Sequence, residues 1–224
     1  MPCRKTPLVN GEIYHAFNRS IAQVPIFNNK RNCDRFLETV DYYRFERTPF
    51  RFSYFQRLSQ SRKQELIQAL SIANKQKVEI LAFGVMPNHY HFLLKQTAND
   101  GISEYLRLIQ DSYAKYYNLI SQRTGSVFQQ SFKATRIETE GQFIHTARYI
   151  HLNPLTSFII KTPKELALYP LPSFPAFISA SPRQFINPQP LSSLFSSTEK
   201  LNQFTADQVD HQRSLAQIKH ITFD

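Results

Sequence analysis

The chain of 224 residues has no tryptophan, two cysteines, two methionines and five glycines. Its two thiols, Cys3 and Cys33, have no metal-ligand spacing and give no basis for a disulfide framework. It also lacks an apolar run long enough to cross a bilayer, and its first residues lack the apolar core of a signal peptide. These absences predict a cytoplasmic protein with no membrane partner.

Acidic residues are also scarce, because 17 Asp and Glu stand against 27 Lys and Arg, for a net charge of +10. Residues 1–80 hold 14 basic and 7 acidic residues, which is +7 of that total. With 42% hydrophobic residues, including 19 Phe and 11 Tyr, the composition is that of a globular protein. A basic, aromatic-rich surface favours a nucleic-acid partner, although ordinary solubility charge is an alternative.

The most informative stretch is Met86-Pro87-Asn88-His89-Tyr90-His91-Phe92-Leu93-Leu94-Lys95. Its composition predicts a strand over 89–95, in which His89 and His91 share one face. An apolar run over 78–85 comes before it, and Pro87-Asn88 supplies a turn between the two, so we expect the pair in the middle of a sheet. Two adjacent imidazoles make half of a divalent-metal site, whereas a plain pair of surface histidines on an edge strand is the alternative.

Several basic residues lie where they could meet phosphates. Arg19 closes a predicted strand over 11–18, and Lys133 and Arg136 lie on a predicted extended segment over 127–138. Arg47 and Arg51 lie among aromatic residues in 46–63, a pattern that suits single-stranded nucleic acid. An aromatic hairpin packed on the core explains the same pattern, and we favour it slightly.

Two later helices carry the candidate nucleophiles. Apolar residues over 102–120 step by three and four, which predicts a long amphipathic helix after a predicted helix over 34–45. A further helix over 142–153 places Tyr149 and Asn153 on one face, one turn apart. Pro154 disfavours helical geometry at Asn153, so we expect the helix to end there.

Three motifs in this order resemble the single-tyrosine HUH transposases, closest to the REP-associated tyrosine transposase branch. They are Tyr14-His15-Ala16-Phe17-Asn18-Arg19, Pro87-Asn88-His89-Tyr90-His91-Phe92-Leu93-Leu94, and Tyr149-Ile150-His151-Leu152-Asn153-Pro154. The resemblance covers roughly residues 8–160. It implies an α+β, ferredoxin-like antiparallel sheet with helices packed mainly on one face.

The resemblance also implies a chemistry and the residues that perform it. His89, His91 and Asn153 become ligands of Mg²⁺ or Mn²⁺, and Tyr149 becomes the nucleophile that nicks single-stranded or hairpin DNA. Attack would leave a 5′-phosphotyrosine, which a 3′-hydroxyl could reseal. The expected enzyme is therefore a metal-dependent tyrosine transposase, a single-strand endonuclease and strand transferase.

The sequence leaves several alternatives open. Tyr113, Tyr116 and Tyr117 are rival nucleophiles, and His145 or His151 could be a spare ligand or base. The protein could be a domesticated binder of structured single-stranded DNA or RNA without turnover, or a metal hydrolase of another substrate, and a homodimer is possible. We expect the transposase domain in residues 1–160, with a Pro/Ser-rich wrap and a helical tail in 161–224.

Overall fold

A computed structural model describes residues 7–73, 75–162, 165–166, 173–178 and 185–207. No helix within these ranges is both long and apolar enough to cross a membrane. Its elements in chain order are β1 (Ile13–Arg19), a 3₁₀ turn (Ile21–Gln23), α1 (Lys30–Tyr43), α2 (Phe52–Phe55), α3 (Gln60–Ile72), β2 (Val78–Met86), β3 (His89–Gln96), α4 (Gly101–Ile120), β4 (Lys133–Ile137), α5 (Glu140–Thr156), α6 (Pro175–Ile178), α7 (Gln189–Ser192) and α8 (Thr198–Ala206).

The four strands form one antiparallel sheet in the order β2-β3-β1-β4. Strands β2 and β3 are a hairpin closed by Pro87-Asn88, as the sequence predicts. His91 on β3 lies opposite Gly84 on β2 and opposite Phe17 on β1, so the histidine strand is central. The predicted α+β class, an antiparallel sheet of the ferredoxin-like type with packed helices, is confirmed.

The main core lies between the sheet and helices α1 and α4. Alternate side chains of β3, Tyr90 and Phe92, point to this face, where their rings contact Phe36 of α1 at centroid distances of 5.4 and 6.3 Å. Tyr105 of α4 packs on Phe92 from the other side. Because side chains alternate along a strand, His89 and His91 are directed to the opposite face.

Some element boundaries differ from those the sequence predicts. Helix α1 begins at Lys30 instead of residue 34, because the side chain of Asn29 accepts a hydrogen bond from the backbone N–H of Asn32 and caps it. Residues 46–63 form no hairpin: Phe52 and Phe55 of the short α2 are buried against α1. The extended segment predicted over 127–138 narrows to the five residues of β4.

Helix α5 does not end at Asn153, so that prediction is wrong. The helix runs through Pro154 to Thr156, and its last turn closes with a hydrogen bond from Ser157 N–H to the Asn153 carbonyl. Proline has no N–H to give to the carbonyl of Ile150 four residues earlier. That carbonyl faces Gly84 of the sheet instead, so the helix continues with one bond missing.

The absence of a side chain at Gly84 lets α5 approach the sheet at the level of His91. A Cβ atom built on Gly84 would lie 3.0 Å from the Ile150 carbonyl oxygen and 3.4 Å from the Cγ2 atom of Ile150. The 3.0 Å contact is shorter than ordinary packing distances and is to backbone, which cannot rotate away, whereas 3.4 Å is at the limit of normal contact. Gly84 therefore sets the distance between the helix that carries Tyr149 and the strand that carries the histidines.

We predict that Gly84→Val pushes α5 away from the sheet and slows formation of any Tyr149-dependent DNA adduct. Overpacking of this kind costs about 1–3 kcal/mol of unfolding free energy, and misplacing a reacting group by about 1 Å costs up to about a hundredfold in rate. Single-turnover nicking and denaturant unfolding measure the two effects. Gly141→Ala on α5 is the control, because a Cβ atom built on Gly141 would lie 3.9 Å from Oγ1 of Thr139, an ordinary contact distance. Equal rates in both variants would contradict the account.

The described part of the region after residue 160 packs on the domain. The backbone N–H of Ser173 donates to the Phe83 carbonyl, and Ser173 Oγ accepts from the Phe83 N–H. Ile186 forms a parallel bridge with Ile80, so the region covers the outer edge of strand β2. Helix α8 also contacts α5, where the Arg148 guanidinium lies 4.3 Å from the Phe204 ring centroid. Helix α8 lies in the region where the sequence predicts a helical tail, whereas residues 163–164, 167–172, 179–184 and 208–224 of the predicted wrap and tail lie outside the described residues.

Candidate active site

A cleft of about 480 Å³ opens on the face of the sheet where α5 lies. It brings together side chains from β1, β3 and α5, from the segment before β4, and from the first residue of β4. Its lining residues are His15, Phe17, Asn18, Arg19, His89, His91, Gln129, Lys133 and Tyr149. The two predicted histidines and the predicted nucleophile therefore share one cavity.

His89 presents one free ring nitrogen. Its Nδ1 lies 2.6 Å from Oδ1 of Asn88, and the Asn88 amide orientation is set by Nδ2 donating to the Gln23 carbonyl. A carboxamide oxygen only accepts hydrogen bonds, so Nδ1 of His89 must carry the proton. Its Nε2 then keeps a lone pair that can bind a metal ion.

His91 is 5% exposed and also has one nitrogen without a partner. Its Nδ1 lies 2.9 Å from Nε2 of His15, whereas its Nε2 is buried with no hydrogen-bond partner. The two rings are nearly parallel, with centroids 5.1 Å apart. A buried nitrogen without a partner is uncommon and indicates a position that a ligand can satisfy.

Tyr149 stands edge-on to both rings, with its centroid 5.4 Å from that of His91 and 6.0 Å from that of His15. It is 38% exposed, so it is open to a substrate. The cap of Thr139 on the Gln142 N–H begins α5 and orients this helix. Asn153, one turn later, is buried; its Oδ1 accepts from Ser157 Oγ, and its Nδ2 has no partner.

Burial dominates the ionisation of the cleft. It lowers the pKa of His89 to about 4, helped by the Arg19 charge, and it lowers the pKa of His91 well below its ordinary value, helped by the charges of His15, His89 and Arg19. Burial raises the pKa of Tyr149, while the Arg19 charge and the nearby Asn153 side chain oppose that rise. The histidines are therefore neutral at pH 7 and the tyrosine is protonated before substrate binds.

The buried histidines predict a fold that weakens in mild acid. Burial lowers the pKa of His151, which is fully buried, from 6.5 to about 3. Below pH 6.5 His151 binds a proton in the unfolded chain but stays neutral in the folded chain. Its contribution to the free energy of unfolding is therefore fully present above that pH and is lost as the pH falls. His151 alone should cost about 2 kcal/mol between pH 6.5 and 5. Denaturant unfolding at several pH values across this range measures how the free energy of unfolding depends on pH. His151→Gln should reduce the slope of that dependence by the equivalent of one proton. Equal slopes in the variant and the wild type would contradict the prediction.

The rival residues lie elsewhere. The Tyr113 hydroxyl donates to the Ile26 carbonyl and the Tyr116 hydroxyl to Oδ1 of Asn32, both on the α1 side of the sheet. Tyr117, also on α4, stacks with Tyr113. His145 contacts Arg148 and Phe204, and His151 Nε2 lies 2.9 Å from Oγ of Ser173. None of these five candidates lines the cleft.

The five predicted DNA-contact residues fall into two groups. Arg19 and Lys133 line the cleft. Arg136 is held by both carboxylate oxygens of Glu12, at 2.7 and 3.1 Å. Arg51 lies in a separate groove of about 520 Å³ on the side of α1 and α4, and exposed Arg47 lies beside the start of β2.

Sequence reasoning missed the contributions of His15 and Gly84. His15 stands two residues before Phe17 in β1, so strand alternation places both side chains on the face of His91. That signal was readable once β1 was known to pair with β3. The role of Gly84 had no sequence signal, because it depends on where α5 crosses the sheet.

Comparison with known proteins agrees with this geometry. The family model described as "Transposase IS200 like" matches residues 42–153, which include His89, His91, Tyr149 and Asn153. The chain belongs to the IS200-like transposase family. No curated protein matches it in sequence.

One solved structure has a fold similar to that of this IS200-like transposase. It is a REP-associated tyrosine transposase bound to a REP hairpin, at 13% identity and a TM-score of 0.54. The match covers 83% of this chain and 90% of that one. The predicted resemblance is therefore confirmed for family and fold.

The residues of the cleft fit a divalent cation. Nε2 of His91 is a buried atom without a partner, and Nε2 of His89 keeps its lone pair. Across the described ranges, no group of three or more His, Cys, Asp or Glu side chains is arranged to hold a metal ion. The cleft itself thus offers two imidazole nitrogens as ligands. Asn153, the third predicted ligand, is buried and is not among the residues that line the cleft, and its Oδ1 already accepts a hydrogen bond from Ser157.

Proposed function

We propose that this IS200-like transposase nicks and rejoins single-stranded or hairpin DNA through a covalent bond to Tyr149, with a divalent metal ion. One observation carries the proposal: the Tyr149 ring stands edge-on to His91, within the same cleft. A nucleophile beside two neutral imidazoles with free nitrogens suits metal-assisted attack on a phosphodiester.

The covalent step exchanges one phosphoester for another. The Tyr149 oxygen loses its proton and forms a bond to the scissile phosphorus, and the bond from phosphorus to the 3′ oxygen breaks. The 3′ oxygen takes up a proton and leaves as a hydroxyl, while the 5′ end stays attached to the protein. Attack by a 3′-hydroxyl on the phosphotyrosine reverses the step, so rejoining needs no ATP.

The residues around Tyr149 prepare it for this step. The Arg19 charge and the nearby Asn153 side chain both lower the pKa of Tyr149 against the effect of burial. Nε2 of His89, Nε2 of His91 and Oδ1 of Asn153 would hold Mg²⁺ or Mn²⁺. When bound, the cation would supply charge neutralisation at the scissile phosphate.

Hairpin DNA is the proposed ligand, and the cytoplasm is the proposed location of the protein. The structural relative was solved with a REP hairpin, which supports this choice. Arg19 and Lys133 would contact phosphates in the cleft. Arg47 and Arg51 would contact flanking DNA away from it; Arg51 shares its groove with Arg35, whose guanidinium lies 4.3 Å from the Phe52 ring centroid.

We predict that Lys133→Ala weakens binding of a hairpin oligonucleotide, whereas Arg136→Ala changes it little. Lys133 lines the cleft and pairs with Phe17 across the sheet, so its ammonium can meet a phosphate there. Arg136 sits on the same strand but is already neutralised by Glu12. Removing one phosphate contact should lower the slope of log affinity against log salt by about 1. Fluorescence anisotropy over a salt series measures it, and equal slopes in both variants would count against the proposed DNA path.

The described tail supports a site completed within one chain. Ser173 binds the backbone of β2 and also contacts His151 of α5, so the tail fastens the nucleophile helix to the sheet of its own chain. A homodimer would then assemble with Tyr149 already beside its own histidines. Mixing Tyr149→Phe protein with His91→Gln protein should therefore restore no activity.

The test uses an imperfect hairpin oligonucleotide labelled at its 5′ or its 3′ end, incubated with full-length protein and Mn²⁺ or EDTA. Products are separated on a denaturing protein gel. The proposal predicts a slower protein band that depends on Mn²⁺ and carries only the label downstream of the nick. A band carrying the 5′ label would reverse the proposed polarity. Tight binding with no adduct on any hairpin would favour a domesticated nucleic-acid binder instead.

A further inference from the structure

The third histidine of the cleft has no role in the chemistry described above. His15 on β1 is half-buried, and its Nε2 lies 2.9 Å from Nδ1 of His91. Two ring nitrogens at this distance share one proton, so one is the donor and the other the acceptor. Which of them donates decides where His91 carries its own proton.

We propose that His15 is a positioning residue: its Nε2 accepts the Nδ1 proton of His91 and thereby keeps Nε2 of His91 unprotonated for a divalent cation. In the opposite arrangement Nε2 of His91 would carry a proton, buried and without an acceptor. A buried N–H without an acceptor is disfavoured. The proton that His15 must then carry on Nδ1 costs less, because His15 is only half-buried.

The neighbouring histidine is fixed by the same logic with a different partner. At His89 the acceptor is Oδ1 of Asn88, 2.6 Å from Nδ1. Each candidate ligand thus directs Nδ1–H to an acceptor on the protein and keeps Nε2 for the cleft. Such outer partners orient metal-binding imidazoles and raise their basicity. The ring stacking of His15 on His91, with planes 22° apart, holds the acceptor in place.

The proposal rests on the proposed metal role of His91, and its test has one readout that needs no metal. Full-length wild-type, His15→Leu and His15→Gln proteins are labelled with ¹⁵N-histidine, and NMR of the metal-free proteins reports the tautomer of His91. Leucine fills the space without an acceptor. Glutamine places a carboxamide oxygen near the position of the histidine Nε2. His145→Leu, on a histidine outside the cleft, is the matched control.

The second readout is the affinity for Mn²⁺ alone, measured by electron paramagnetic resonance. We expect His91 with its proton on Nδ1 in wild type and His15→Gln, and a mixture of tautomers in His15→Leu. Loss of an outer partner should raise the Mn²⁺ dissociation constant of His15→Leu by about tenfold or more. His15→Gln should recover to within about threefold of wild type, and His145→Leu should not change.

Three results would overturn the proposal. His15→Leu could keep both the wild-type tautomer and the wild-type Mn²⁺ affinity. His15→Gln could fail to restore the Mn²⁺ affinity while the His91 tautomer stays unchanged, which would make His15 a packing residue. Electron spin echo spectra could count three coordinating imidazoles, which would make His15 a ligand. Wild-type protein that binds no Mn²⁺ would overturn the metal role of the cleft itself, a failure that the metal-free NMR separates from the others.

Discussion

Tyr149→Phe should lose all covalent DNA adduct and slow nicking at least about a thousandfold, as expected when a nucleophile is removed. Phenylalanine keeps the ring that stands 5.4 Å from His91 and removes only the hydroxyl. The packing of α5 is therefore preserved, and hairpin binding should be little changed. A gel assay for the adduct and anisotropy for binding separate chemistry from affinity.

The matched control is Tyr117→Phe. Tyr117 is 8% exposed on α4, outside the cleft, and removing its hydroxyl leaves the site untouched. Wild-type rates are expected for this variant. If Tyr149→Phe kept the adduct, the nucleophile would be another residue and the assignment of the cleft would be wrong.

His91→Gln should abolish metal-stimulated nicking, with a loss of at least about a hundredfold at saturating DNA. Glutamine is polar and similar in length, so the side chain still fills the buried position beside Phe17. A carboxamide oxygen donates less electron density than an imidazole nitrogen, and the glutamine lacks the ring Nδ1 that lies 2.9 Å from His15, so this variant should bind Mn²⁺ less tightly. The comparison of rates in Mn²⁺ and EDTA shows whether the loss is in the metal-dependent part.

Two companion variants sharpen this prediction. His89→Gln should behave in the same way, because Nε2 of His89 has the same free lone pair. His145→Gln should keep wild-type rates, since His145 contacts Arg148 and Phe204 outside the cleft. If His91→Gln nicked as fast as wild type in Mn²⁺, the histidine pair would not hold the catalytic metal.

The sequence contained enough to predict the sheet and part of the cleft. The period of two in β3 separates His89 and His91 from Tyr90 and Phe92, and the structure has that division. Such alternation is fixed by strand geometry and needs no knowledge of the partner elements. Helical spacing likewise placed Tyr149 and Asn153 on one face of α5.

The remaining features depend on contacts between distant segments. The helix end at Pro154 was predicted from local geometry, but the Ile150 carbonyl that proline leaves free meets Gly84 of another element. The packing of Phe52 and Phe55 on α1, instead of in a hairpin, also depends on tertiary contacts. Local preference is a weak guide where packing decides.

Charge in the sequence was a partial guide to DNA contacts. Arg19 and Lys133 do line the cleft, but Arg136 is engaged by Glu12, more than 100 residues away in the chain. A basic residue is available to a phosphate only when the fold leaves it without a carboxylate partner. Sequence alone does not give that information.

The most direct test of the central claim is to map the DNA adduct on the protein by mass spectrometry. Full-length protein reacted with hairpin DNA in Mn²⁺ is digested with nuclease and trypsin. Cleavage after basic residues puts Tyr149 in the peptide 149–161, Tyr113 in 108–115, and Tyr116 with Tyr117 in 116–123. The account predicts a nucleotide attached through phosphate to Tyr149, with the other two peptides unmodified. A nucleotide on Tyr113, Tyr116 or Tyr117 would contradict it.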